Sequence, residues 1–203
     1  MDKGKESALE KKAKNKEAAI EKNLLTLTYQ FINPQSAGMK SKEGDFQSKS
    51  YINISETGDS VHQMTRELSL RTNRTMFSPH LKVIVISADL ARTYGLDQLL
   101  DQYLRDNEIR LSCLVLISNG RASETLTLKE TEEVPAFRLL EIVNNLPKTT
   151  RILPPMPLAK LVGKMQSRAS FLLQNVISVN AEGKFAGAAV IEGKTKKATW
   201  FLE

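Results

Sequence analysis

The hydrophobic pattern changes period several times along the chain. Leu25, Leu27, Tyr29 and Phe31 alternate with polar neighbours, which predicts a half-buried strand ended by Asn33-Pro34. A glycine-, serine- and lysine-rich stretch over 35–48 reads as a loop, and a second strand follows from Tyr51-Ile-Asn-Ile54 towards Thr57-Gly58. Ser60 and Gln63 stand at capping-box spacing, with Val61, Met64 and Leu68 at helical spacing behind them. Leu81-Lys-Val-Ile-Val-Ile86 and Leu111 to Ser118 are near-continuous apolar runs, the mark of strands covered on both faces.

Between those runs, 88–94 and 96–104 read as two helical pieces hinged at Gly95, with Leu99, Leu100, Tyr103 and Leu104 on the buried face. A further helix follows Pro135 and stops at Pro147, and Leu158 to Met165 is a short helix after Pro154, Pro155 and Pro157. The rest is strand-like: 170–179, 185–191 and 199–202, separated by Asn180 to Gly183 and Glu192-Gly193. This rhythm predicts an α/β (mixed α+β) fold, a central sheet covered by helices with a small antiparallel β-rich C-terminal part. The expected organisation is a flexible charged tail over 1–23, a main α/β domain over 24–153, and a β-rich segment over 154–203. That last segment either completes the sheet or forms a small subdomain.

Composition bounds the chemistry. The chain has 203 residues, 41% of them hydrophobic and 26% charged, an ordinary globular balance. Residues 1–23 hold seven lysines and five acids with few large apolar side chains, so a solvated tail is expected there. One cysteine, Cys113, and two histidines, His62 and His80, exclude a disulfide framework and cysteine-rich zinc sites. No apolar run approaches the ~18 residues of a membrane-spanning helix, and 1–10 lack the apolar region of a signal peptide. The chain as given is expected to be soluble.

Catalytic patterns are equally sparse. Gly58-Asp59-Ser60 with His62 is similar to one esterase nucleophile block, but Ser60 already has a capping role and no separate acid–histidine block follows. Cys113 lies inside an apolar run and reads as an inert small hydrophobe. His80, behind Pro79 at a strand start, reads as a loop-ordering residue. No phosphate-cradling glycine pattern is present, and aromatics make up 6% without interleaved arginines, which argues against a nucleic-acid partner despite the net charge of +6. No enzyme, cofactor or metal is expected.

Four segments in order, Leu25 to Pro34, Arg66-Glu-Leu-Ser69, His80-Leu-Lys-Val-Ile84 and Leu104-Arg-Asp-Asn-Glu-Ile-Arg110, resemble the C subunit of nutrient germinant receptors. These are the Ger(x)C lipoproteins of endospore formers. Gly187-Ala-Ala-Val-Ile191 and Trp200-Phe-Leu202 are similar to the strands that close the family's N-terminal region. The chain departs from the family pattern at Ala198-Thr199, where members tend to have a glycine-containing turn. The resemblance implies the N-terminal part of a longer lipoprotein, without the lipid-anchored N-terminus and larger C-terminal domain. It also implies a non-enzymatic subunit on the outer face of the spore's inner membrane, acting with the receptor's A and B membrane subunits. The rival class is a soluble module for a small ligand or nucleic acid. The candidate cluster is His80, Arg105, Asp106, Glu108 and Arg110. Its charges read as a structural ion-pair cluster that fixes a helix-to-strand turn, with a partner-binding patch as the alternative.

Overall fold

The computed structural model describes residues 1–4, 24–33, 50–71, 78–127, 133–180 and 182–202. The expected loop over 35–48 lies outside them. The strand order is β1 (Asp2–Lys3), β2 (Leu25–Ile32) and β3 (Tyr51–Gly58) in one antiparallel sheet, followed by helix α1 (Val61–Arg71). A second sheet runs β4 (Val83–Ser87), β5 (Leu114–Ser118), β6 (Phe171–Val179), β7 (Glu182–Ile191) and β8 (Ala198–Leu202), in that spatial order. The fold is mixed α/β. β4, β5 and β6 are parallel and β6–β8 form an antiparallel meander, so the closing strands extend the sheet that β4 and β5 begin.

Helices α2 (Ala88–Thr93) and α3 (Leu96–Arg105) fill the connection from β4 to β5. Parallel neighbours need a crossover of this length. α4 (Pro135–Val143) and α5 (Leu158–Gln166) come between β5 and β6. The near-continuous apolar runs are explained by two cores, one on each face of the sheet. Ile84, Ile86, Val115 and Ile117 enter the larger core with Leu90, Leu100 and Leu161. Val85, Leu114 and Leu116 enter the other, with Leu139, Ile152 and Val176. Strand alternation sends neighbours to opposite faces, so a strand buried on both sides is apolar over most of its length.

Two expectations need local revision. The run from Leu111 becomes a strand only at Leu114, and Leu111 is exposed because 111–112 form a turn. At α1 only half of the capping box forms. The Gln63 N–H reaches Ser60 Oγ at 3.5 Å, while the Gln63 amide turns outward and donates to Glu67 at 2.8 Å.

The larger departure is at the N-terminus. Residues 1–4 of the expected solvated tail are structural, and 5–23 lie outside the described residues. Asp2 and Lys3 pair with Thr26 and Leu25, and Gly4 N–H donates to Leu24 O at 2.7 Å. Asp2 is buried, and its carboxylate accepts the backbone N–H groups of Ala122 (2.5 Å) and Ser123 (2.9 Å). Those donors open a 3-10 turn (Ala122–Leu126), where a carboxylate satisfies amides that have no partner within the turn. Met1 bridges to the second sheet, its carbonyl accepting Ser87 N–H at 2.9 Å and its amino group donating to Val85 O at 2.5 Å. A charge count cannot see these contacts, since each partner is far away in sequence.

Burial lowers the Met1 amino group from its ordinary value near 8 to about 6, against an opposing pull from Asp2. Between those values the unfolded chain binds more protons than the folded one, so stability rises with pH. Denaturant unfolding is expected to show a loss of up to about 3 kcal/mol on going from pH 8.5 to below pH 6. Acetylating the amino group is expected to flatten that dependence.

Candidate interaction surfaces

The charged residues after α3 do not form one ion-pair cluster. Arg105 closes the helix and turns back onto Asp101, with Nε 2.8 Å from both carboxylate oxygens; that bond, and then the carboxylate's charge, raises the guanidinium pKa. Both side chains are exposed, a geometry that adds little to stability. Asp106 is the residue that fixes the turn: its carboxylate accepts Glu108 N–H at 3.0 Å and its carbonyl accepts Ile109 N–H at 3.2 Å. Glu108 and Arg110 are exposed, and among the described residues no ion pair joins them to Arg105.

His80 is exposed in a 3-10 turn (Ser78–His80) just before β4. Leu114 N–H donates to Lys82 O at 2.9 Å, and β4 and β5 are parallel, so His80 and the 106–113 link open at the same end of the sheet. That end is what the five residues share.

Amides tie the first sheet to the segments that follow β5, and aromatics gather on β2. Gln30 Nε2 donates to Asn53 Oδ1 (2.9 Å) and Leu126 O (2.8 Å), and its Oε1 accepts Ala136 N–H at 3.0 Å. Tyr29 stacks on Phe31 with ring centroids 6.0 Å apart, and its hydroxyl lies 3.3 Å from Thr65 Oγ1. Tyr103 is buried nearby, and burial first, then Tyr29, pushes its hydroxyl pKa well up.

A second surface lies on the β6–β8 meander. Phe171, Leu173, Ala189 and Ile191 point into the larger core, and Phe201 is capped by Arg92 at 4.4 Å from the ring centroid. Registration then puts Leu172, Val190 and Trp200 in one row on the opposite face, with Leu202 two residues on. Trp200 is 73% exposed and Leu202 51%, an apolar strip at an open sheet edge. The alternation of 199–202 contained the signal for it, since a tryptophan one place from a core-facing phenylalanine must face outward.

Elsewhere the chemistry is quiet. Cys113 is buried, which pushes its thiol up to about 12 despite the opposing charge of Lys82. A thiol so held is a packing group. Among the described residues no set of three His, Cys, Asp or Glu side chains could hold a metal ion, and no helix is long and apolar enough to cross a membrane.

Comparison with known proteins decides the family. A sequence model described as "Spore germination protein N-terminal domain" matches residues 11–177. The chain belongs to the Ger(x)C spore germination family. It is 53% identical over 202 residues to "Spore germination protein YndF" of Bacillus subtilis (strain 168), covering 97% of this chain and 50% of that protein. It is 31% identical over 171 residues to "Spore germination protein A3" of the same organism, covering 84% and 45%. The crystal structure of the GerBC protein matches with a TM-score of 0.51 at 25% identity, over 91% of this chain and 50% of that one. This Ger(x)C chain thus spans about half the length of the relatives it matches.

Proposed function

We propose that the Ger(x)C chain is part of a non-enzymatic subunit of a nutrient germinant receptor, needed for receptor assembly or signalling in spore germination. In this reading it works at the outer face of the spore's inner membrane. The full-length protein is lipid-anchored there and contacts the receptor's A and B membrane subunits. A single lipid chain holds a protein only marginally, so protein contacts supply the rest of the attachment. The observation that carries the reading is the apolar strip of Leu172, Val190, Trp200 and Leu202, left uncovered on a well-packed sheet in a spore germination family member. A row of this kind is costly to leave in water and is suited to burial against protein.

Trp200→Lys with Leu172→Lys in the full-length protein tests this. Both side chains are exposed, so the melting temperature is expected to stay within about 2 °C. Spores carrying the pair are expected to lose most of their nutrient response through that receptor. A normal response from a correctly folded double variant contradicts the contact reading.

A further inference from the structure

Between Glu141 and Glu182 every charged side chain is a cation, and three of them stand four residues apart. Lys160 and Lys164 lie on α5, and Arg168 follows just past its end. Leu158, Leu161 and Met165 anchor the helix in the larger core, so Lys160, Gly163 and Lys164 face away from it. A Cβ at Gly163 would meet nothing within 4 Å, so this outer face is bare. The row continues onto the β7–β8 turn. Gly193 lies against the Arg168 carbonyl and its N–H donates to Ser170 Oγ at 3.1 Å, which sets Lys194 close to Arg168. All four cations are exposed, and among the described residues none has an ion-pair partner. Glu192, the acid of the turn, is engaged, its carboxylate accepting the Thr195 hydroxyl at 2.6 Å. Lys196 is buried, its ammonium donating to Gly193 O, and does not join the row. The fold gains nothing from this arrangement. Like charges at i, i+4 repel, and Lys160 sits in the first turn of α5, where the helix dipole disfavours a cation.

We propose that the row of Lys160, Lys164, Arg168 and Lys194 is a seat for anionic phospholipid headgroups, so that α5 and the β7–β8 turn face the bilayer. The inference rests on the membrane placement proposed above and adds an orientation to it. Charge complementarity requires an anionic partner, since each cation close to an anionic membrane strengthens binding by roughly fivefold. Two features favour lipid over an acidic protein. The cations stand on a helix face and a turn, and three of the four are lysines. Their flexible stems suit a fluid array of phosphates, whereas a fixed carboxylate partner favours the planar fork of arginine. The row also ends where the apolar strip begins. Leu172, Val190 and Trp200 lie in register next to the β7–β8 turn, so headgroup contact at Lys194 brings the strip to the level of partners embedded in the membrane.

The test is sedimentation of the 203-residue chain with vesicles of phosphatidylcholine alone or of an equal mixture with phosphatidylglycerol. At low salt the mixed vesicles are expected to bind at least tenfold more tightly than the neutral ones, with the difference lost as salt is added. Lys160→Gln with Lys164→Gln is expected to weaken binding to the mixed vesicles at least tenfold. Lys82→Gln with Lys184→Gln removes the same charge from exposed sites elsewhere and is expected to weaken it less than twofold. Lys160→Glu puts an acid one turn before Lys164, so it is expected to hold or raise the melting temperature while vesicle binding falls, which separates contact from folding. These readings need no receptor, so their failure leaves the receptor-subunit reading to the spore experiments. Equal binding to the two kinds of vesicle, or equal losses in the two double variants, overturns the proposal. Binding lost through Trp200→Lys with Leu172→Lys but kept in Lys160→Gln with Lys164→Gln also overturns it, because apolar insertion would then be the cause. Tighter retention on immobilised polyglutamate than on the mixed vesicles would assign the row to an acidic protein and overturn the choice of lipid.

Discussion

Replacing Asp2 with alanine is expected to lower the stability of the chain by about 3 kcal/mol, although the residue stands next to the first in the sequence. The buried carboxylate takes two backbone donors, Ala122 N–H and Ser123 N–H, that nothing else in the described structure accepts. Alanine leaves both without an acceptor, and a buried amide left so costs more than the bond itself contributed. At this chain length such a loss corresponds to a fall in melting temperature of about 6–12 °C. Asp2→Asn is expected to recover part of it, because the amide oxygen still accepts one N–H while its NH2 opposes the other. Lys3→Ala, at an exposed neighbour on the same strand, is expected to stay within about 0.5 kcal/mol. Thermal or urea unfolding of the three variants decides the matter, and equal effects at positions 2 and 3 would mean that Asp2 holds nothing.

Gly193→Ala is expected to cost about 3 kcal/mol, for a steric reason alone. A Cβ there would collide with the carbonyl oxygen of Arg168 and stand 2.5 Å from its carbon and 2.6 Å from the Ala169 carbonyl carbon. Those atoms are backbone and cannot swing aside. They are held near the β7–β8 turn, where Gly193 N–H donates to Ser170 Oγ at 3.1 Å. Gly163 gives the opposite sign. It lies in α5 with nothing within 4 Å of a Cβ, so Gly163→Ala is expected to stabilise the chain by about 0.5–1 kcal/mol. Melting curves of the two variants side by side check the space around each glycine.

The parts of this fold that were legible in the sequence are those where local pattern and tertiary burial agree. The runs at 81–86 and 111–118 read as strands covered on both faces, and the two cores take up Val83 to Ile86 and Leu114 to Ile117. The helices at 96–105, 135–143 and 158–166 carry their apolar residues at turn spacing, and start at Gly95, Pro135 and Pro157. Residues 1–4 were illegible because so short a strand has no periodicity, and its partners are a ladder at 24–26 and amides at 122–123. The charges at 105–110 misled for a related reason. Their spacing allows ion pairs in several combinations, and an exposed arginine takes the nearest helical partner, here Asp101. The resemblance to germinant receptor C subunits supplied the family, which no single site would have done.

The reading stands or falls on whether this domain serves the receptor through contacts. Spores carrying the full-length gene with the region corresponding to 24–202 removed in frame should be compared with intact spores. Nutrient-triggered germination through that receptor and the abundance of the A and B subunits are measured together. The account predicts that the nutrient response is lost, and that the membrane partners fall if the domain is needed for assembly or persist if it serves signalling. Normal germination through that receptor, with both partners at normal levels, would contradict it.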